Sequence, residues 1–237
     1  PPSYGTPTWI WDNQIDMKNT GVELELTVDL IKTRNIKWDI GLNLTAYKNE
    51  LTKVPDDKDP EGYIAGAYWR KLGGTLYDFY TYEFAGVDAA NGKSMWYKDV
   101  TTTVDGEEVT EKVTTTTFAE ATRYETGKSA LPDFYGGFST NLTAYGFDFS
   151  VQTSFQSGGW VNDVTYSRFM TGGQLGSNWH KDIYKRWTPN NTVTDVPRVS
   201  TSDQNANAGS TRFLTDASYF NLKNITIGYT LPKRLLD

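Results

Sequence analysis

One histidine, no cysteine and a scatter of carboxylates are all that this chain offers to covalent chemistry. With no thiol, and with His180 alone, neither a multi-histidine metal site nor a Cys–His pair can be assembled. A Ser–His–Asp triad is formally open, because Asp182 follows two residues after His180, yet no G-x-S-x-G elbow presents a nucleophile. Glu23, Glu25 and Asp29 fall on one face of a strand, and a hydrated surface accounts for them without acid–base chemistry. Asp56, Asp57, Asp59 and Glu61 are spaced like the opening of a Ca2+-binding loop. Counting from Asp57, however, the twelfth position is Tyr68 where a bidentate Glu belongs, and Pro60 interrupts the run. A surface cluster of carboxylates is the expectation there, with Ca2+ on the loops left open and no other cofactor or metal expected. The net charge of −6 argues against a sequence-independent grip on nucleic acid. Nothing here makes an enzyme.

Aromatic residues supply the other kind of chemistry. They make up 14% of the chain. Trp69, Trp160, Tyr166 and Trp179 lie in long stretches rich in Asn, Asp and Gly. Ring faces there can stack on apolar patches of a sugar or peptide, while neighbouring amides bond hydroxyls or backbone. The same rings could instead pack the loops against one another or against a partner protein, since long ordered loops need small cores of their own.

What positions these residues is a set of strands with period two. Val22, Leu24, Leu26, Val28 and Leu30 alternate with Glu23, Glu25, Thr27 and Asp29. After a polar turn at residues 32–35, the pattern resumes with Ile36, Trp38, Ile40, Leu42, Leu44 and Ala46 on one face. Lys37, Asp39, Asn43 and Thr45 occupy the other. A second hairpin places Phe138, Thr140, Leu142 and Ala144 opposite Phe147, Phe149, Val151, Thr153 and Phe155, across a tight turn at Tyr145-Gly146. Another strand is readable from Asn224 to Leu231. Weaker candidates lie at residues 76–87 and 95–100, for about seven strands in all.

Strands in soluble sandwiches usually run about 5–6 residues. Here the alternation holds for roughly ten or more, the length that crosses a bilayer at a tilt. An apolar face meeting lipid and a polar face meeting a lumen explain both sides at once. Short turns at residues 32–35 and 145–146 alternate with long connections at 50–74, 101–132 and 158–217, as expected of an outer-membrane barrel with short periplasmic turns and long outer loops. Trp38, Phe147 and Tyr229 sit near the short turns, where an interfacial girdle belongs. The competing reading is a soluble, secreted β-sandwich that binds carbohydrate through exposed aromatics.

Several segments resemble signature stretches of the SusC/RagA TonB-dependent transporters. Asp16–Leu26 is similar to the family's N-x-G-x-E-L entry into a strand. Phe84–Asp88 with Asn91-Gly92 follows, then Ala130–Phe138. Arg186–Pro189 precedes Val196–Arg198, and Ser210–Leu214 precedes Ala217–Pro232. Each is weak alone; the ordered set spans nearly the whole chain.

The resemblance implies an all-β, antiparallel transmembrane barrel with long extracellular loops. This chain would supply about seven of its 22 or so strands. Residues 1–237 would then lie in one barrel domain, with a plug domain and the final strands outside the chain. Residues 1–17 would be an outer loop, and Arg234–Asp237 would enter a periplasmic turn. It further implies residence in the cell outer membrane and uptake of oligosaccharides or peptides. The implied partners are a SusD-like surface lipoprotein, the TonB complex acting through the plug, outer-membrane lipid and the rest of the barrel. Both edge strands would pair with strands from outside this sequence, because unpaired backbone in hydrocarbon costs several kcal/mol per group.

Overall fold

A computed structural model describes Gly5 and residues 13–170, 176–201, 203 and 205–232. The expected outer loop at residues 1–17 lies largely outside these, and the expected turn at Arg234–Asp237 entirely so. In chain order the strands are β1 (Asp16–Lys32), β2 (Ile36–Lys53), β3 (Tyr63–Ala65), β4 (Tyr68–Arg70), β5 (Asp78–Tyr82), β6 (Phe84–Val87) and β7 (Ser94–Val104). They continue with β8 (Glu107–Thr115), β9 (Arg123–Ser129), β10 (Pro132–Ala144), β11 (Phe147–Gly158), β12 (Trp160–Asn162), β13 (Leu214–Asp216) and β14 (Tyr219–Tyr229). One short helix, α1 (Val164–Phe169), follows β12. Among the described residues no helix is long and apolar enough to cross a membrane.

Five strands of 11 to 18 residues form one antiparallel sheet in the order β1-β2-β10-β11-β14. Its register lines up residue types across the whole width. Leu26, Leu42, Phe138, Thr153 and Leu222 form one row, and Val28, Ile40, Thr140, Val151 and Ile225 the next. On the opposite face the rows read Glu25, Asn43, Gly137, Ser154, Asn221 and then Thr27, Gly41, Ser139, Gln152, Asn224. The apolar face is uncovered: Val22 is 73% exposed, Phe220 72% and Ile227 75%. A sandwich would bury that face under a second sheet. No such layer exists among the described residues, and Leu51 is the only residue of the five strands in the buried apolar core. The sandwich reading fails on this point.

The turns form at one end. Residues 33–35 link β1 to β2, with the Thr33 amide donating to the Ile36 carbonyl. Tyr145 and Gly146 both adopt positive φ, 51° and 88°, the geometry of a hairpin turn matched to strand twist. The Phe147 and Tyr229 rings pack beside it with centroids 4.5 Å apart and planes tilted by 42°, and the Trp38 indole donates to Thr140 Oγ1 at 2.8 Å. The predicted aromatic belt is therefore at the turn end.

Two corrections follow. The sheet has five strands of membrane length, not seven. Residues 76–87 and 95–100 form β5, β6 and part of β7, which pair among themselves and with β4, β8 and β9. Their aromatics meet each other instead of lining a wall: Trp96 packs edge-on to Phe84 and Phe118, at 5.5 and 5.0 Å. Three long connections thus become two, residues 54–131 and 159–218. The second correction concerns phase. β-Bulges at Leu30 and Lys223 each insert an extra residue, so Ile31 faces Trp38, the position that alternation alone assigns to Leu30.

Candidate functional site in the loop assembly

Both long loops leave the sheet at the end opposite the turns, and they are fastened to each other. The Thr81 hydroxyl donates to the Gly209 carbonyl at 3.0 Å, the Phe84 amide donates to Thr211 Oγ1 at 3.0 Å, and the Trp187 indole donates to the Ala89 carbonyl at 3.0 Å. Arg212 lies over the Phe84 ring at 5.3 Å and the Phe213 ring at 5.1 Å, and it donates to the Ala206 carbonyl. Burial pulls its guanidinium below the usual range. The first loop is also tied to the barrel wall through Asn49, which donates to Asn19 at 2.7 Å and accepts from the Leu76 amide at 3.0 Å.

The second loop encloses its own core of Met170, Ile183, Val196 and Phe213, with Tyr166, Trp179 and Val199 packed against it. Local sequence explains the frame. Asp163 caps α1 by accepting from the Tyr166 amide, and His180 caps the 3-10 turn at Lys181–Lys185 by accepting from the Asp182 amide. His180 thus has a structural partner, and no serine hydroxyl bonds it among the described residues. Asp182 receives Lys185 Nζ at 2.9 Å and the Tyr166 hydroxyl at 3.2 Å. The Lys185 hydrogen bond, opposed by burial, holds the Asp182 carboxyl below the usual carboxylate range. Its stabilisation is present above the unfolded pKa of about 3.8 and is lost as pH falls through the lower folded value. The protection factors of amides in residues 181–185, taken against the intrinsic exchange rate at each pH, should therefore be lower at pH 3 than at pH 7. Asp182→Asn should abolish that difference; an unchanged pH response in the variant would assign it elsewhere.

The four aromatic candidates occupy different settings. Tyr166 and Trp179 are brought together on the second-loop core, and Tyr166 also meets the His180 ring edge at 4.9 Å. Trp160 lies on β12 with the Lys128 ammonium 3.5 Å above its ring. Trp69 stands apart on β4, stacked on Tyr80 at 4.7 Å and pressed by the Gly62 backbone, where a Cβ would lie about 2.2 Å from the indole. A cleft of about 450 Å3 opens beside Trp179, lined by Asn178, His180, Tyr184 and Arg186 among others. Tyr184 is 84% exposed at its rim. Neither Tyr184 nor Arg186 was distinguishable in the sequence, because their shared cleft depends on the turn that His180 caps. The carboxylates of residues 56–61 make local bonds instead: Asp57 pairs with Lys58 at 2.9 Å, and Asp59 accepts from the Glu61 amide. Elsewhere in the first loop, burial pushes the Tyr124 phenol up to about 12 while it donates to Asp99 at 2.7 Å.

No family model matches the chain. Its sequence is similar to TonB-dependent receptor P3 of Formosa agariphila, 26% identical over 248 residues, covering 99% of this chain and 24% of the relative. It is also similar to the TonB-dependent receptor SusC of Bacteroides thetaiotaomicron, 24% identical over 225 residues, covering 90% of this chain and 20% of SusC. The fold superposes on a chain of the RagAB peptide transporter with a TM-score of 0.79 and 28% identity, covering 99% of this chain and 25% of that one. A second structure, the RagAB peptide importer in its open-open state, gives a TM-score of 0.75 at 28% identity, over 94% and 23% of the two chains. The chain therefore spans about a quarter of the length of the relatives it matches. In sequence and in fold, the chain is similar to the segments that it covers of these TonB-dependent receptors and of the RagAB transporter.

Proposed function

We propose that residues 1–237 form part of the wall and outer loops of a transporter that takes up nutrient across the outer membrane. One observation carries this reading. Five strands long enough to span a bilayer present an uncovered apolar face on one side and a continuous polar face on the other. The free edges of β1 and β14 would be completed by further strands of the same barrel, because hydrocarbon tolerates no open sheet edge. The whole protein would work with a SusD-like lipoprotein over the loops and with TonB acting through a plug. Its cargo would be an oligosaccharide or a peptide. RagAB, which shares this fold, is a peptide transporter. Trp69, Trp160, Tyr166 and Trp179 would be the loop residues that touch cargo, with Trp179 best placed beside its cleft.

The full-length protein should partition with the outer membrane and require detergent for extraction. Its deletion should abolish growth on one class of oligomer, glycan or peptide, and not the other. Recovery in the soluble fraction would end the transporter reading.

A further inference from the structure

The bulge in β14 has a chemical consequence on the polar face. Gln152 faces Asn224 and Thr153 faces Leu222, so Lys223 is an extra residue without a partner on β11. Such bulges redirect a side chain out of the regular pleat. Lys223 lines a concavity of about 270 Å3 together with Asn43, Gly137, Ser139 and Gln152. Gly137 keeps the floor of this concavity free of a side chain; a Cβ there would stand 3.0 Å from the Thr153 carbonyl oxygen and 3.3 Å from the Asn43 amide nitrogen. Lys223, Asn43, Ser139 and Gln152 all bring hydrogen-bond donors to it. Among the described residues none of these four side chains has a partner within the chain. The carboxylates nearer the turns are already engaged: Asp39 accepts from Asn141 at 2.7 Å, and Asp148 from Thr143 at 3.0 Å.

Depth and size narrow the occupant. Lys223 precedes the end of its strand by six residues, roughly 20 Å along the chain and about 15 Å in depth at a 45° tilt. That is near the middle of the wall. A site below the roughly 300–1,000 Å3 of ligand pockets holds one head group, not an oligomer. An ionised carboxylate offers about four acceptor positions to the four donors.

We propose that Lys223, Asn43, Ser139 and Gln152 seat a single carboxylate, that of an Asp or Glu side chain of the polypeptide packed inside the barrel. This rests on the transporter reading, because only barrel closure encloses the polar face. The test uses the full-length protein in isolated outer membranes, treated with a water-soluble carbodiimide. The reagent activates a carboxylate, the lysine amine in contact attacks it, and an amide forms with release of the urea. Peptide mass spectrometry should find Lys223 joined to an Asp or Glu of the same polypeptide without added solute. Lys223→Gln should lose that link and lower the thermal midpoint, whereas Lys223→Arg should keep the midpoint. Two results would overturn the proposal. In one, Lys223 is linked only when trigalacturonate or triglutamate is supplied, which makes the carboxylate a solute's. In the other, Lys223 is unlinked and is acetylated by an N-hydroxysuccinimide ester as fast as Lys58. Protein missing from the membrane fraction fails the transporter reading instead, at an earlier step.

Discussion

Leu26→Arg should destabilise the folded full-length protein in lipid vesicles by about 2–4 kcal/mol, whereas Thr27→Arg, one residue along, should cost far less. Leu26 lies in the row with Leu42, Phe138 and Leu222 on the uncovered apolar face, and Thr27 in the row with Gly41, Ser139 and Asn224 on the polar face. Backbone conformation and strand pairing are the same at both positions, so the difference isolates the medium that each side chain meets. An arginine at mid-strand on the lipid face must shed water or pull it inward; on the lumen face it stays hydrated. Denaturant titration of the two variants, with Leu42→Arg as a repeat on the next strand, gives the comparison. Equal costs on the two faces would mean that both meet water, and the barrel assignment would fall.

Phe213→Ala should remove about 3–5 kcal/mol from the second loop while leaving barrel assembly intact. Phe213 is 1% exposed, belongs to the core with Met170, Ile183 and Val196, and carries the Arg212 guanidinium on its ring. Its carbonyl also accepts from the Asp163 amide beside α1. Truncation leaves a cavity at the point where both ends of the loop meet. Tyr184→Ala, at an 84% exposed position, should change stability by no more than about 0.5 kcal/mol. Limited proteolysis of membrane-embedded protein reads the outcome: residues 165–200 should be cleaved much faster in Phe213→Ala, and strand segments should not. If that loop stays as protected as in the unmodified protein, something other than this core holds Tyr166 and Trp179 in place.

The same contrast separates what could be read from the residues in order from what could not. Alternation of Val22, Leu24, Leu26 with Glu23, Glu25, and of Ile40, Leu42, Leu44 with Asp39, Asn43, Thr45, is a local property. Any extended backbone must put those sets on opposite faces. The turn at Tyr145-Gly146 is equally local, because only residues tolerant of positive φ close a two-residue hairpin. Barrel character and the end that carries the loops were therefore legible. Residues 76–100 were not. Their alternation resembles that of the wall strands, and only the pairing of β5 with β9 and of β6 with β7 sends Phe84 and Trp96 into a loop core. β14 was half visible: Ile225, Ile227 and Tyr229 keep one phase, Phe220 and Leu222 the other, and a pattern that changes phase reads as a strand that stops. The bulge at Lys223 joins the two halves, and it is specified by β11 across the ladder, from Gln152 to Phe155, nearly seventy positions away in sequence. The loop aromatics show the same limit. Trp69, Trp160, Tyr166 and Trp179 look alike in composition, yet stacking on Tyr80, capping by Lys128 and packing on Phe213 give them different surroundings, because those neighbours are set by strand pairing and loop packing and not by adjacency in sequence.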